Sequence, residues 1–146
     1  MPVSPESRPL WYRLFHHKLY SQSLPSRFDN GLTSSQCKFC PANTEDLQHL
    51  FVRCPMKWIV WIDAFNFFSP HITFAQDDVC STLWSFQQFP FVDSTDLWAL
   101  SCCMFSVIWR ARWRFTIDGV PFIDKQLDTR AMSQFATLTR GRLDLD

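Results

Sequence analysis

Between Cys37 and Cys54 the chain reads CKFCPANTEDLQHLFVRC, which places three cysteines and one histidine within eighteen residues as Cys37-x2-Cys40-x8-His49-x4-Cys54. No other stretch limits the fold so tightly. A two-residue gap lets two thiolates of one tight turn grip the same ion, and a pair returning from the next element completes a tetrahedron. Soft sulfur with one imidazole suits Zn²⁺. Five residues along a straight α-helix turn the side chain through about 140° beyond a full turn. His49 and Cys54 can therefore share an ion only if the helix breaks between them, and Pro55 supplies a break by disfavouring helical geometry at the residue before it. Taken singly, Cys37 and Cys40 would pass as loop cysteines and His49 as a hydrogen-bonded helical residue. Together the four point to a Cys3His zinc knuckle. Four protein ligands leave no position for water, so the site is expected to be structural. Three thiolates, one neutral imidazole and Zn²⁺ sum to −1, so any attraction for phosphate would fall to Lys38, Arg53, Lys57 and Arg27.

A chain of 146 residues suits one domain that buries roughly 70% of its unfolded surface. With 7 Trp and 15 Phe but only 3 Gly, the composition favours a filled helical core over a turn-rich sandwich. Lys plus Arg equals Asp plus Glu at 14 each, so net charge advertises neither nucleic acid nor membrane. The first sixty residues nevertheless hold seven Lys or Arg against four Asp or Glu, hence +3, leaving −3 for the remainder. The opening MPVSPESRPL shows no apolar run behind a basic cluster, so an intracellular setting, nucleus or cytoplasm, and reduced cysteines are expected. The uncharged run LWALSCCMFSVIW, Leu97 to Trp109, is too short for a bilayer, which needs roughly 20 residues, and reads as a buried helix. No membrane partner is expected.

Proline and glycine punctuate the rest. Residues 1–9, with Pro2, Pro5 and Pro9, read as a disordered lead-in; residues 10–122 as the helical domain; and residues 123–146 as a C-terminal helix and polar tail. Apolar spacing predicts a first helix over about Leu10 to Tyr20. Asn43 or Thr44 is placed to cap a short helix whose first turn carries Glu45 and Asp46. Pro55 opens a helix with Ile59, Trp61, Ile62, Phe65 and Phe68, stopped near Ser69-Pro70. Further helices are expected over about Asp77 to Gln88, from Asp93–Thr95 to Ile117 with Gly119 closing it, and from Ile123 to Thr139. The fold class is all-α: a small helical domain with the zinc knuckle between helices.

The run CKFCPANTEDLQHLFVRCPMKWIVW resembles the zinc-binding domain of reverse transcriptases from non-LTR, LINE-like retrotransposons. That pattern has a C-x2-C pair, an acidic helix ending in H-L-F-x-x-C-P and a tryptophan shortly after, here Cys37, Cys40, His49-Leu50-Phe51, Cys54-Pro55 and Trp61. WYRLFHHKL, Trp11 to Leu19, resembles the leading helix of that domain. IWRARWRFTIDGVPF, Ile108 to Phe122, resembles its downstream helix, with Trp113 where Asn is usual. The resemblance implies an accessory module of a retroelement polyprotein that holds template RNA or target DNA, or packs against the reverse transcriptase and its other domains. It does not imply polymerase activity.

Arg110, Arg112 and Arg114 alternate with Trp109, Trp113 and Phe115, a pattern in which guanidinium groups meet phosphate and rings stack on bases. The plainer reading buries Trp109 and Trp113 and leaves Arg110 and Arg114 sharing an outer face. His16-His17 reads as a helix face, Cys102 and Cys103 as small core residues, and Asp77-Asp78 as the first turn of a helix. No nucleophile–base group, phosphate loop or isolated carboxylate pair stands out, so neither enzymatic activity nor a small-molecule substrate is expected. The leading expectation is a non-catalytic zinc-binding accessory domain that contributes to RNA or DNA binding through Lys38, Arg53, Lys57, Arg110 and Arg114. Its alternative is a zinc-stabilised protein docking module, or a decayed retroelement fragment without nucleic-acid binding.

Overall fold

A helix that is apolar on every side must be interior, and the core of this chain is built around one. The computed structural model describes residues 8–15, 34–40, 44–85 and 95–143. Its elements are α1 (Arg8–Phe15), a π-helical turn (His49–Arg53), α2 (Pro55–Phe68), α3 (Gln76–Ser85), α4 (Thr95–Asp118) and α5 (Asp124–Leu143). The described residues contain no strand; an isolated antiparallel bridge joins Gln36 and Thr44. The all-α class read from the sequence is the class observed.

Helix α4 holds the expected interior run. Every residue from 97 to 108 except Trp98 is buried, Cys102 and Cys103 among them, and none of the described helices is long and apolar enough to cross a membrane. The helix closes where the sequence says it should. Gly119 takes φ +67°, a conformation that costs residues with a Cβ, and its N–H returns to the Phe115 carbonyl at 3.2 Å while that of Val120 reaches Arg114.

Around α4 pack α2, α5 and the π-helical turn. Helix α2 begins with Pro55 at its first turn and ends at Phe68, as Pro55 and Ser69-Pro70 predict. Its buried stripe is Lys57, Val60, Trp61, Ala64 and Phe65, one face of a helix. Ile59 and Ile62, counted in the apolar pattern of this helix, are 44% and 39% exposed, because the buried stripe takes in Lys57. Rings stitch the layers together: Phe51 stacks on Phe105 with centroids 3.8 Å apart, Phe65 meets Phe74 at a tilt at 4.6 Å, and Phe68 meets Phe135 edge-on at 5.4 Å. Each large apolar side chain so buried contributes about 1.5–3 kcal/mol.

Helix α5 shares that core through Leu127 and Ala131 and runs past the expected Thr139 to Leu143. In α3, Asp77 and Asp78 occupy the first turn as expected, and Asp78 accepts from the Ala75 N–H at 2.8 Å. Helix α1 starts two residues before Leu10, with Leu10 buried; the expected lead-in before Arg8, the first helix beyond Phe15, His16-His17 and Arg27 lie outside the described residues.

Candidate metal centre

Two local breaks bring the four ligand candidates together. The first is the turn at Cys37-Lys38-Phe39-Cys40, where the Phe39 N–H donates to Cys37 Sγ at 3.4 Å. The second is the π-helical turn. Just ahead of it Asp46 accepts from the His49 N–H at 2.7 Å, and the Cys54 N–H donates to the His49 carbonyl at 3.3 Å, five residues back. In a turn closed by i→i+5 bonds, residues five apart stack on one side of the helix. His49 and Cys54 therefore reach the same point through a widened turn, followed by extended backbone at Cys54 (φ −65°, ψ 127°) before α2 begins. The sequence foresaw the break at Pro55 but not the widening before it. Of the expected caps, Thr44 lies in the bridge to Gln36 and Asn43 lies outside the described residues.

Cys37, Cys40, His49 and Cys54 have their ligand atoms within 4.8 Å of one another, a group that can hold a metal ion. Cys37 Sγ lies 4.0 Å and Cys40 Sγ 3.6 Å from Cys54 Sγ. A tetrahedral ion with metal–sulfur bonds of about 2.3 Å has sulfur–sulfur edges of about 3.8 Å, so both spacings fit. The Cys40–His49 contact of 2.9 Å to Nε2 is the tighter spacing of a thiol–imidazole hydrogen bond. Cys37, His49 and Cys54 are buried and Cys40 is half-buried. The Cys37 thiol, hydrogen-bonded to Cys54 and then further penalised by burial, is pushed up to about 12. The same bond holds Cys54 below the ordinary thiol value against burial, with the positive charge of Lys57 acting in the same direction.

Beside the thiols lies an ion cluster that sequence reasoning missed. Glu45, 1% exposed, accepts from Arg112 Nη2 and, at 3.2 Å, from Arg112 Nε; Arg112 is itself 1% exposed. Lys57 is fully buried, with Nζ 3.8 Å from Glu45 Oε2 and 4.8 Å from the centre of the Phe39 ring. Burial draws the Lys57 ammonium below its ordinary value, opposed by Glu45 and the two cysteines. Removing one partner of such a buried pair typically costs roughly 3–5 kcal/mol. One signal was present: Arg112 continues the stripe Phe105–Ile108 of α4, on the buried face. Glu45 gave none, since its place beside Asp46 suits a helix N-terminus equally well.

The expected phosphate contacts separate accordingly. Lys57 is corrected outright: its ammonium faces Glu45 in the interior and cannot meet a nucleic acid. Arg53 pairs with Asp77 at 2.7 Å, its side chain 38% exposed. Lys38, Arg110 and Arg114 are exposed. Trp109 and Trp113 are half-buried and meet edge-on at 5.5 Å; Arg112 lies over the Trp113 ring at 4.8 Å, and Trp109 lies 6.0 Å from Phe51.

No protein-family model matches the sequence, and no curated protein or solved structure is significantly similar to it.

Proposed function

We propose that the chain is a non-catalytic, zinc-stabilised helical module of the reverse-transcriptase zinc-binding kind, an accessory that contributes to RNA or DNA binding. The observation that carries the metal half of this reading is the convergence of three sulfurs and one ring nitrogen within 4.8 Å, three of the four residues buried. Soft thiolates with one imidazole in a tetrahedral arrangement favour Zn²⁺, and four protein ligands make the ion a structural clamp. Zinc binding in small finger peptides is worth roughly 10–16 kcal/mol, as much as the whole stability of an ordinary domain. Cys37→Ser is expected to lose the ion and the helical order around His49, read by zinc quantification and circular dichroism. Full zinc content in that variant would refute the assignment.

Support for the nucleic-acid half is the resemblance of Cys37 to Trp61 to a retroelement module and the exposed Lys38, Arg110 and Arg114. Counterion release then requires log affinity for RNA or DNA to fall linearly with log salt. The rival reading, a protein docking module, is favoured by two observations. Lys57 and Arg53 are already engaged with acidic residues, and Met56, Ile59, Ile62 and Phe67 stand exposed along α2. Absence of binding to any polynucleotide at low salt would decide for the rival.

A further inference from the structure

One acidic and two basic side chains are fully enclosed beside the candidate metal centre, and their formal charges do not cancel. Among the described residues Glu45 is the only buried carboxylate, while Lys57 and Arg112 are both buried. Arg112 makes the short contacts to Glu45, donating to it through Nε and Nη2. In the count of these three charges Lys57 is the surplus. Its Nζ makes no hydrogen bond, and Glu45 Oε2 stands 3.8 Å away. An unmatched charge in an interior is costly unless a compensating charge is near.

The position of Lys57 identifies that compensation. It stands three residues after Cys54, and its backbone N–H donates to the Cys54 carbonyl at 3.0 Å. Phe39, whose ring lies under the ammonium at 4.8 Å, sits between Cys37 and Cys40. Glu45 lies on the insert between Cys40 and His49. The ammonium is thus bracketed by the segments that carry all four ligands.

We infer that Lys57, held against the Glu45–Arg112 pair, is the built-in counter-charge of a Cys3His divalent-metal centre. A divalent ion with three thiolates and one neutral imidazole carries −1, the triad of Lys57, Arg112 and Glu45 carries +1, and together they are neutral where water does not reach. Four thiolates would leave −1 uncompensated, and two thiolates with two imidazoles would leave +1. The surplus ammonium therefore matches the donor set present, and Lys57 is a positioning residue for the metal. This rests on the metal-binding reading above.

The test is zinc affinity of the full chain, measured by competition with a chromophoric chelator, with a Co²⁺ absorption spectrum to report coordination geometry. Lys57→Met and Lys57→Gln are expected to bind zinc about 10–100-fold more weakly, the usual cost of losing an outer partner of a metal site, with the tetrahedral Co²⁺ spectrum kept. Lys57→Arg, which preserves the charge, is expected to stay near the parent. In a Cys40→His background, where the loaded centre has no net charge, Lys57→Met is expected to cost no zinc affinity. Parent-like affinity in Lys57→Met, or an equal loss in both backgrounds, would overturn the counter-charge role while leaving the metal site intact. A parent chain that binds no zinc would overturn both.

Discussion

Trp61 shows how one side chain can be required by a residue six positions earlier. In an α-helix the Phe51 carbonyl would accept from the N–H of residue 55, but that residue is Pro55, which has none. The indole Nε1–H of Trp61 takes the vacant place at 2.8 Å, with both residues fully buried. The proline that releases Cys54 toward the ligand cluster thus creates a backbone acceptor in need of a donor, and the tryptophan one and a half turns into α2 is that donor. Trp61→Phe would leave the carbonyl unsatisfied in the core. We expect a loss of roughly 1–3 kcal/mol, read as a lower urea midpoint with an unchanged slope. A midpoint equal to the parent's would mean that the bond is dispensable.

At the scale of elements, the seam between α2 and α5 carries a titration near neutrality. The Asp128 carboxyl on α5 is pushed up to about 7, first by burial and then by the neighbouring carboxylates of Asp63 on α2 and Asp124 on α5. Its folded value lies above the unfolded value of 3.8. Stability associated with the protonated form is therefore fully present below about 4 and is lost as pH rises through about 7, because the folded state holds a proton that the unfolded chain gives up. Asp128→Asn removes the penalty. Its melting temperature is expected to exceed the parent's at pH 8 and to match it near pH 4. An equal gain at both pH values would show an effect other than ionisation. Much of the element layout was legible beforehand, because helix ends are set by neighbours a few residues away: Pro55, Ser69-Pro70 and Gly119 mark boundaries where the chain has them. The π-helical turn was not legible. Its sequence, HLFVR, suits an α-helix equally well, and the one-residue widening follows from Pro55 together with the convergence of His49 on the thiols.

For the molecule as a whole, the candidate centre is the point where residues 34–40 and 44–54 are fastened to the interior. The thiols and imidazole tie that segment to itself, Glu45 ties it to α4 through Arg112, and Phe51 stacks on Phe105 of the same helix. If the centre holds an ion as proposed, removing it with a strong chelator is expected to open this part first, because the four ligand candidates converge there. Hydrogen exchange is the measure: amides of Cys40 and of residues 44–54 should lose protection on chelation, while those of 100–108 in α4 keep theirs. Uniform loss along the chain would instead make the centre the keystone of the entire fold, and no change would deny it a structural role.

The sequence by itself determined what short-range chemistry can specify. The grouping of Cys37, Cys40, His49 and Cys54 as ligand candidates, the helix ends at Pro55 and Gly119, and the interior character of the run from Leu97 to Ile108 all depend on residue types and spacings within a turn or two. Only the tertiary structure decided which face of α2 turns inward, and with it the fate of Lys57. Local pattern favours Ile59 and Ile62 inside and a lysine outside. That preference is overridden because Glu45, held in place by Arg112 from 67 residues away in the chain, stands with Cys37 and Cys54 around the ammonium and offsets part of its burial cost. A charge can be buried only where its partners are, and those partners arrive from distant parts of the chain.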